Sequence, residues 1–270
     1  MKQAALFAKV NGISINYRTA GRGEPLVLIM GLSGEQSAWA SQVQFFKRRY
    51  RVITFDNRGV GKSDKPPGPY TTKMMADDTV GLMDHLGIEK ANIMGVSMGG
   101  MIAQEVAINY PERVMKLVLA STYSCQDNGP NGATEEMASA GKLSYERAIA
   151  TLANLTFNKP LIRFLINLQI RIGSIFAGGS AKALGRAGVM SQTEACVKHN
   201  AIERLPSIQS PTLVITGTND RVIKSTSSDM LSQRIPSAKL VKIENGSHAC
   251  CMEMKDIFNR EVLNFLTEST

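Results

Sequence analysis

Three residues that together can attack a carbonyl and move a proton follow one another in the order serine, aspartate, histidine. Ser97 sits in Gly95-Val96-Ser97-Met98-Gly99-Gly100, Asp220 ends Gly217-Thr218-Asn219-Asp220, and His248 ends Glu244-Asn245-Gly246-Ser247-His248. A hydroxyl becomes a nucleophile when a neutral imidazole takes its proton. A carboxylate behind the imidazole fixes its tautomer and supports the imidazolium that forms. The pattern Gly-x-Ser-x-Gly gains meaning from its context: a strand must deliver the serine and a helix must follow it. Side chains in place of the glycines would collide with backbone at so tight a turn. The Met98 N–H would lie in the first turn of the helix, where it can donate to a developing oxyanion. The chemistry predicted is acyl transfer.

The other polar candidates have plainer readings. His85, in a helical pattern, is expected to pack or to cap. His199 is expected at the surface. Asp127 is the alternative acid. Asp220 could also serve only as a turn residue.

The elements that must position these groups are legible as apolar runs. Residues 5–10 and 13–19 flank Asn11-Gly12, which predicts a β-hairpin. Continuous apolar runs at 26–30, 51–55, 91–95, 115–120, 212–216 and 239–243 suit strands buried on both faces of a parallel sheet. Helical patterns at 37–46, 71–86, 98–109 and 226–234 separate most of them. The alternation predicts an α/β fold with right-handed crossovers. Ser97, Asp220 and His248 then all fall after the C-terminal ends of strands.

Between residues 123 and 211 no strand pattern occurs. An apolar helical pattern fills 160–176 and stops at Gly178-Gly179. The expected organisation is a core of residues 1–122 and 207–270, with 123–206 as a helical cap inserted into it. The cap is also a candidate surface for homo-oligomer formation.

The chain has 270 residues and a net charge of +8. Residues 141–204 carry a net +6 of that, with nine Lys or Arg against Glu146, Glu194 and Glu203. No nucleic-acid motif accompanies the charge, so no nucleic-acid partner is expected. No apolar run is long enough to span a bilayer. Four cysteines, two of them adjacent, fit no zinc spacing and are expected to be reduced thiols. Lys9 interrupts the N-terminal apolar patch too early for a signal-peptide core, so a cytoplasmic location is expected.

Further residues carry a family resemblance. Asp56-Asn57-Arg58-Gly59-Val60-Gly61-Lys62-Ser63-Asp64 resembles the loop DxRGxGxSD of the α/β-hydrolase superfamily. Residues 78–86 leading into GVSMGG resemble the helix before its nucleophile turn. Over residues 7–265 the chain resembles the capped serine esterase, lactonase and haloperoxidase-like branch, with the insertion loosely matched. The resemblance implies a mostly parallel eight-stranded sheet with an N-terminal antiparallel hairpin and a helical cap. It also implies catalysis without cofactor or metal. Met30-Gly31-Leu32 stands where many relatives carry His-Gly-x, which implies the Leu32 N–H as second oxyanion donor beside Met98. Met30 departs from that pattern, because methionine cannot brace the loop as histidine does. A serine at the elbow separates the chain from relatives that use aspartate or cysteine there.

The expected activity is cofactor-free hydrolysis of a small-molecule carboxylic ester or lactone through an acyl-enzyme. A perhydrolase, an acyltransferase or a slow ligand sensor could use the same residues. Trp39, Phe164 and Leu168 are the candidate pocket residues, although Trp39 also suits packing against the first crossover helix. Cys250 and Cys251 are expected to be small buried residues behind the histidine loop. A neutral short-to-medium-chain substrate is preferred over an anionic lactone, because no arginine can be placed at the pocket.

Overall fold

The computed structural model describes residues 5–126, 151, 154–161, 163–164 and 179–268. Eight strands form one sheet in the order β1-β2-β4-β3-β5-β6-β7-β8. They are β1 (Leu6–Val10), β2 (Ile13–Ala20), β3 (Glu24–Ile29), β4 (Tyr50–Phe55), β5 (Ala91–Val96), β6 (Val114–Ala120), β7 (Thr212–Gly217) and β8 (Ala238–Ile243). The β1–β2 and β2–β4 pairs are antiparallel and all later pairs parallel. Asn11 and Gly12 both take positive φ, 48° and 78°, as a tight right-twisted hairpin turn requires.

The continuous apolar runs have the predicted cause. In β3, Val27 and Ile29 join one buried cluster while Leu26 and Leu28 join the other, so the strand is covered on both faces. The first cluster is roofed by α2 (Thr72–His85) and α3 (Met98–Asn109). The second is roofed by α1 (Ala40–Phe46) and the C-terminal helix α7 (Lys255–Thr267). Helix α7 places Phe258, Val262, Phe265 and Leu266 inward. Lys116 of β6 ties down its end, donating to the carbonyls of Phe265, Leu266 and Glu268.

Further helices among the described residues include α4 (Gly179–Lys198), α5 (Ser225–Arg234) and the short α6 (Cys250–Glu253). Most of the apolar pattern at 160–176, and Asp127, lie outside the described residues. Helix α4 comes close to the loop after β4: a Cβ on Gly188 would meet the Gly59 carbonyl oxygen at 2.1 Å. No helix among the described residues is long and apolar enough to cross a membrane.

The glycines around Ser97 are required by contact distances. A Cβ on Gly95 would lie 2.0 Å from the Gly99 carbonyl oxygen. One on Gly99 would lie 2.1 Å from the carbonyl oxygen of Ile29, a backbone atom of β3 that cannot swing aside. Gly99→Ala is therefore expected to cost roughly 3 kcal/mol of stability through forced backbone displacement. Urea unfolding of the purified variant checks this. A loss below about 0.5 kcal/mol, the usual range for an unstrained substitution, would contradict the packing described.

Candidate active site

The loops after β3, β5, β7 and β8 meet at the C-terminal edge of the sheet, where open α/β sheets bind ligands. Ser97 stands between β5 and α3 with φ 55° and ψ −123°. Ser33, after β3, and Ser121, after β6, also take positive φ, 59° and 43°. Such backbone costs of order 1–3 kcal/mol per residue and collects at functional sites. Here it follows three strands that are neighbours in the sheet.

Asp220 lies three residues beyond β7 and is buried. Its two oxygens have divided tasks. Oδ1 accepts from the Val222 and Ile223 amides, at 2.8 and 2.9 Å. Oδ2 lies 2.8 Å from Nδ1 of His248, itself buried in the loop after β8. An ionised carboxylate only accepts, so Nδ1 carries the proton and Nε2 of the neutral ring is left as the base.

Ser97 and His248 both line an apolar cavity of about 290 Å³. The loop 30–34 forms another wall, with Met30, Gly31 and Leu32 facing the cavity. It packs directly on the serine: a Cβ on Gly31 would stand 3.1 Å from the Ser97 Cβ and 3.7 Å from its Oγ. Met101, Val222, Ile223 and Met252 add further apolar surface, and Thr193, Cys196 and Val197 bring α4 to the rim. The described lining contains no Lys, Arg, Asp or Glu.

The structure thus brings Ser97, His248 and Leu32 to one cavity, with Asp220 bonded behind the histidine. Met98 begins α3, so its amide lacks an intrahelical acceptor, while its side chain is fully buried in the core. Two pocket candidates are corrected. Trp39 is fully buried in the cluster with Phe46 and Tyr50 and does not line the cavity, because its large ring fills the space under α1. Phe164 is 63% exposed and lies outside the lining. Leu168 lies outside the described residues.

His199 is also corrected. It is buried, with Nδ1 3.0 Å from Thr72 Oγ1 and Nε2 3.4 Å from Gln104 Oε1. Burial pushes its pKa down to about 4, against the pull of the nearby Glu105 carboxylate, so it is neutral near pH 7. Arg204 holds Glu105 with two bonds of 2.8 and 2.6 Å. His85 is exposed at the end of α2, edge-on to the Tyr17 ring.

Cys250 and Cys251 are buried, and Cys251 and Cys196 reach the cavity lining. Burial pushes the Cys196 and Cys250 thiols up to about 12 and raises Cys251 as well. These thiols stay protonated at neutral pH, which makes them poor nucleophiles. No group of three or more His, Cys, Asp or Glu among the described residues is placed to hold a metal.

Several residues around the site have no local sequence signal. Asn57 Nδ2 donates to the Met30 carbonyl at 2.9 Å, bracing the loop where the methionine side chain cannot. Gln192 Oε1 accepts from the Ser33 amide at 2.9 Å. Segment 154–159 is stitched to both catalytic-side loops. Arg221 donates to the Asn154 and Phe157 carbonyls, the Ala249 amide donates to Thr156, and Glu253 accepts from the amides of Asn158 and Lys159. Glu253 also accepts from the Ser247 hydroxyl, next to His248.

A sequence profile of the alpha/beta hydrolase fold matches residues 24–173. The 3-oxoadipate enol-lactonase 2 of Acinetobacter baylyi is 30% identical over 256 residues, 93% of this chain and 92% of its own. The enol-lactonase from Burkholderia xenovorans superposes with a TM-score of 0.84 at 28% identity, over 97% of this chain and 100% of that one. A meta-cleavage product hydrolase from Pseudomonas fluorescens gives a TM-score of 0.84 at 26% identity, over 98% of each chain. The strand order, the serine turn and these matches agree: the chain belongs to the alpha/beta hydrolase fold family.

Proposed function

We propose that the protein is a serine hydrolase of neutral carboxylic esters or lactones. The observation that carries this reading is His248, bonded to Asp220 at 2.8 Å and lining a cavity that Ser97 also lines from a positive-φ turn. Nε2 of His248 takes the Ser97 proton as Oγ attacks the carbonyl carbon. The Met98 and Leu32 amides hold the oxyanion, and the imidazolium returns the proton to the leaving alkoxide. In a lactone that alkoxide stays tethered to the acyl group. Water, deprotonated by the same nitrogen, then releases the acid and frees Ser97. The protonated state of the cavity thiols supports serine over cysteine as nucleophile. The two enol-lactonase relatives support hydrolysis of a lactone.

Residues 123–206 are the cap in this reading, and of them Thr156 and the α4 residues Thr193, Cys196 and Val197 line the cavity. The four buried cysteines form no disulfide, which supports a reducing, cytoplasmic setting.

The absence of Lys, Arg, Asp and Glu from the described lining supports a neutral acyl group. Each added methylene is expected to contribute about 0.8 kcal/mol, roughly fourfold in kcat/KM, until the cavity is full. Raising salt from about 20 to 500 mM is expected to leave kcat/KM within twofold, since a neutral substrate is not steered. A series of acyl esters, assayed with Ser97→Ala as blank, measures both. Poor turnover of every neutral ester, with fast and strongly salt-inhibited opening of an anionic lactone, would overturn the substrate class.

A further inference from the structure

Gln192 is fully buried on α4. Both ends of its amide are committed. Oε1 accepts from the Ser33 amide at 2.9 Å, and Nε2 donates to the Arg58 carbonyl at 2.8 Å. The amide is therefore a bridge between the loop after β3 and the loop after β4.

Both anchors of that bridge are stiff. Arg58 is held by two bonds of 2.6 Å to Asp78, itself buried on α2. Ser33 adopts positive φ, a conformation that a serine keeps only when its surroundings impose it. One turn before Gln192, Gly188 lies against Gly59, so the helix cannot retreat from the loop without opening that contact. The residue next to Ser33 in the chain is Leu32, whose amide is assigned to the oxyanion.

We propose that Gln192 is a positioning residue: it fixes the loop 30–34 so that the Leu32 amide points at the oxyanion. The inference rests on the serine-hydrolase reading and adds a role for the insertion. Through Gln192 the helix that borders the cavity also sets the geometry of an oxyanion donor.

The test is Gln192→Met, which keeps length and removes both hydrogen bonds. An oxyanion donor moved out of line loses transition-state stabilisation and leaves ground-state binding in place. The expected result is a kcat lower by roughly 10- to 100-fold with KM within about threefold. The dissociation constant of an alkyl boronic acid, which forms a tetrahedral adduct on the serine, is expected to rise by a similar factor. A residue that only seals the helix would lower the melting temperature without this kcat-selective loss. A kcat within about twofold of wild type in a folded variant, or a rise in KM at unchanged kcat, would overturn the proposal.

Amide hydrogen exchange on the wild-type protein gives a second reading that needs no variant. Slow exchange at Ser33 is expected, and exchange at the rate of a free peptide would overturn the bridge. Ser97→Ala distinguishes the two levels. An active Ser97→Ala would remove the serine-hydrolase reading itself, whereas an inactive Ser97→Ala beside a wild-type-like Gln192→Met would remove only the role of Gln192.

Discussion

Replacing Ser97 with alanine is expected to lower kcat on its best ester by roughly a millionfold, the scale found when a nucleophilic serine is removed from an intact triad. The loss is this large because the histidine and aspartate cannot act without the hydroxyl. The residual rate comes from the oxyanion amides and the cavity alone. The fold should survive. Ser97 makes its backbone contacts, Ser97 N to Ala120 O and the Gly100 and Met101 amides to Ser97 O, with main-chain atoms that alanine also has. Thermal melting within a few degrees of wild type, with kcat roughly a millionfold lower, is the expected pair of results. A folded Ser97→Ala that kept more than about one-hundredth of the wild-type rate would contradict the mechanism.

Asp220→Asn is expected to lower kcat by about ten-thousandfold, for a reason visible in the hydrogen bonds. Two backbone N–H groups, from Val222 and Ile223, point at Oδ1 and require an acceptor there. The asparagine carbonyl must occupy that position, which forces its NH2 toward Nδ1 of His248. Nδ1 then accepts instead of donating, and the ring proton moves to Nε2. Nε2–H cannot take the serine proton. Steady-state kinetics on the folded variant check the loss. A kcat within tenfold of wild type would show that Asp220 does not set the tautomer.

What the sequence made legible followed from burial. Strands such as β3, β5 and β7 are covered on both faces, so they are written as continuous apolar runs and are easily found. The turn at Ser97 was legible because its glycines answer to backbone atoms less than 2.2 Å from any added Cβ. The histidine and acid positions followed from strand ends, since a short loop after β7 or β8 has little freedom to lead elsewhere. Helix α7 was not among the helices read from the sequence, although Phe258, Val262, Phe265 and Leu266 stand at the spacing of one helical face.

Other features had no local signal. Gln192 stands 159 residues from Ser33 and 134 from Arg58, and in the sequence it looks like any polar residue on a solvated helix. His199 reads as a surface histidine near Lys198 and Asn200. Only the tertiary fold brings Thr72 and Gln104 against its ring. Trp39 follows the loop 30–34 closely in the chain, yet the backbone turns into a short 3-10 segment at Gln36–Trp39 and carries its ring into the core. Proximity along the chain was a poor guide there, because one helical turn suffices to reverse the side a residue faces.

The central claim is that Ser97 is the nucleophile, and covalent capture tests it most directly. Intact wild-type protein is incubated with a fluorophosphonate at neutral pH, then digested and mapped by mass spectrometry. The account predicts a single adduct, on Ser97, forming in step with loss of esterase activity and absent from Ser97→Ala. Complete inactivation with the adduct on another residue, or full labelling of Ser97→Ala, would contradict it.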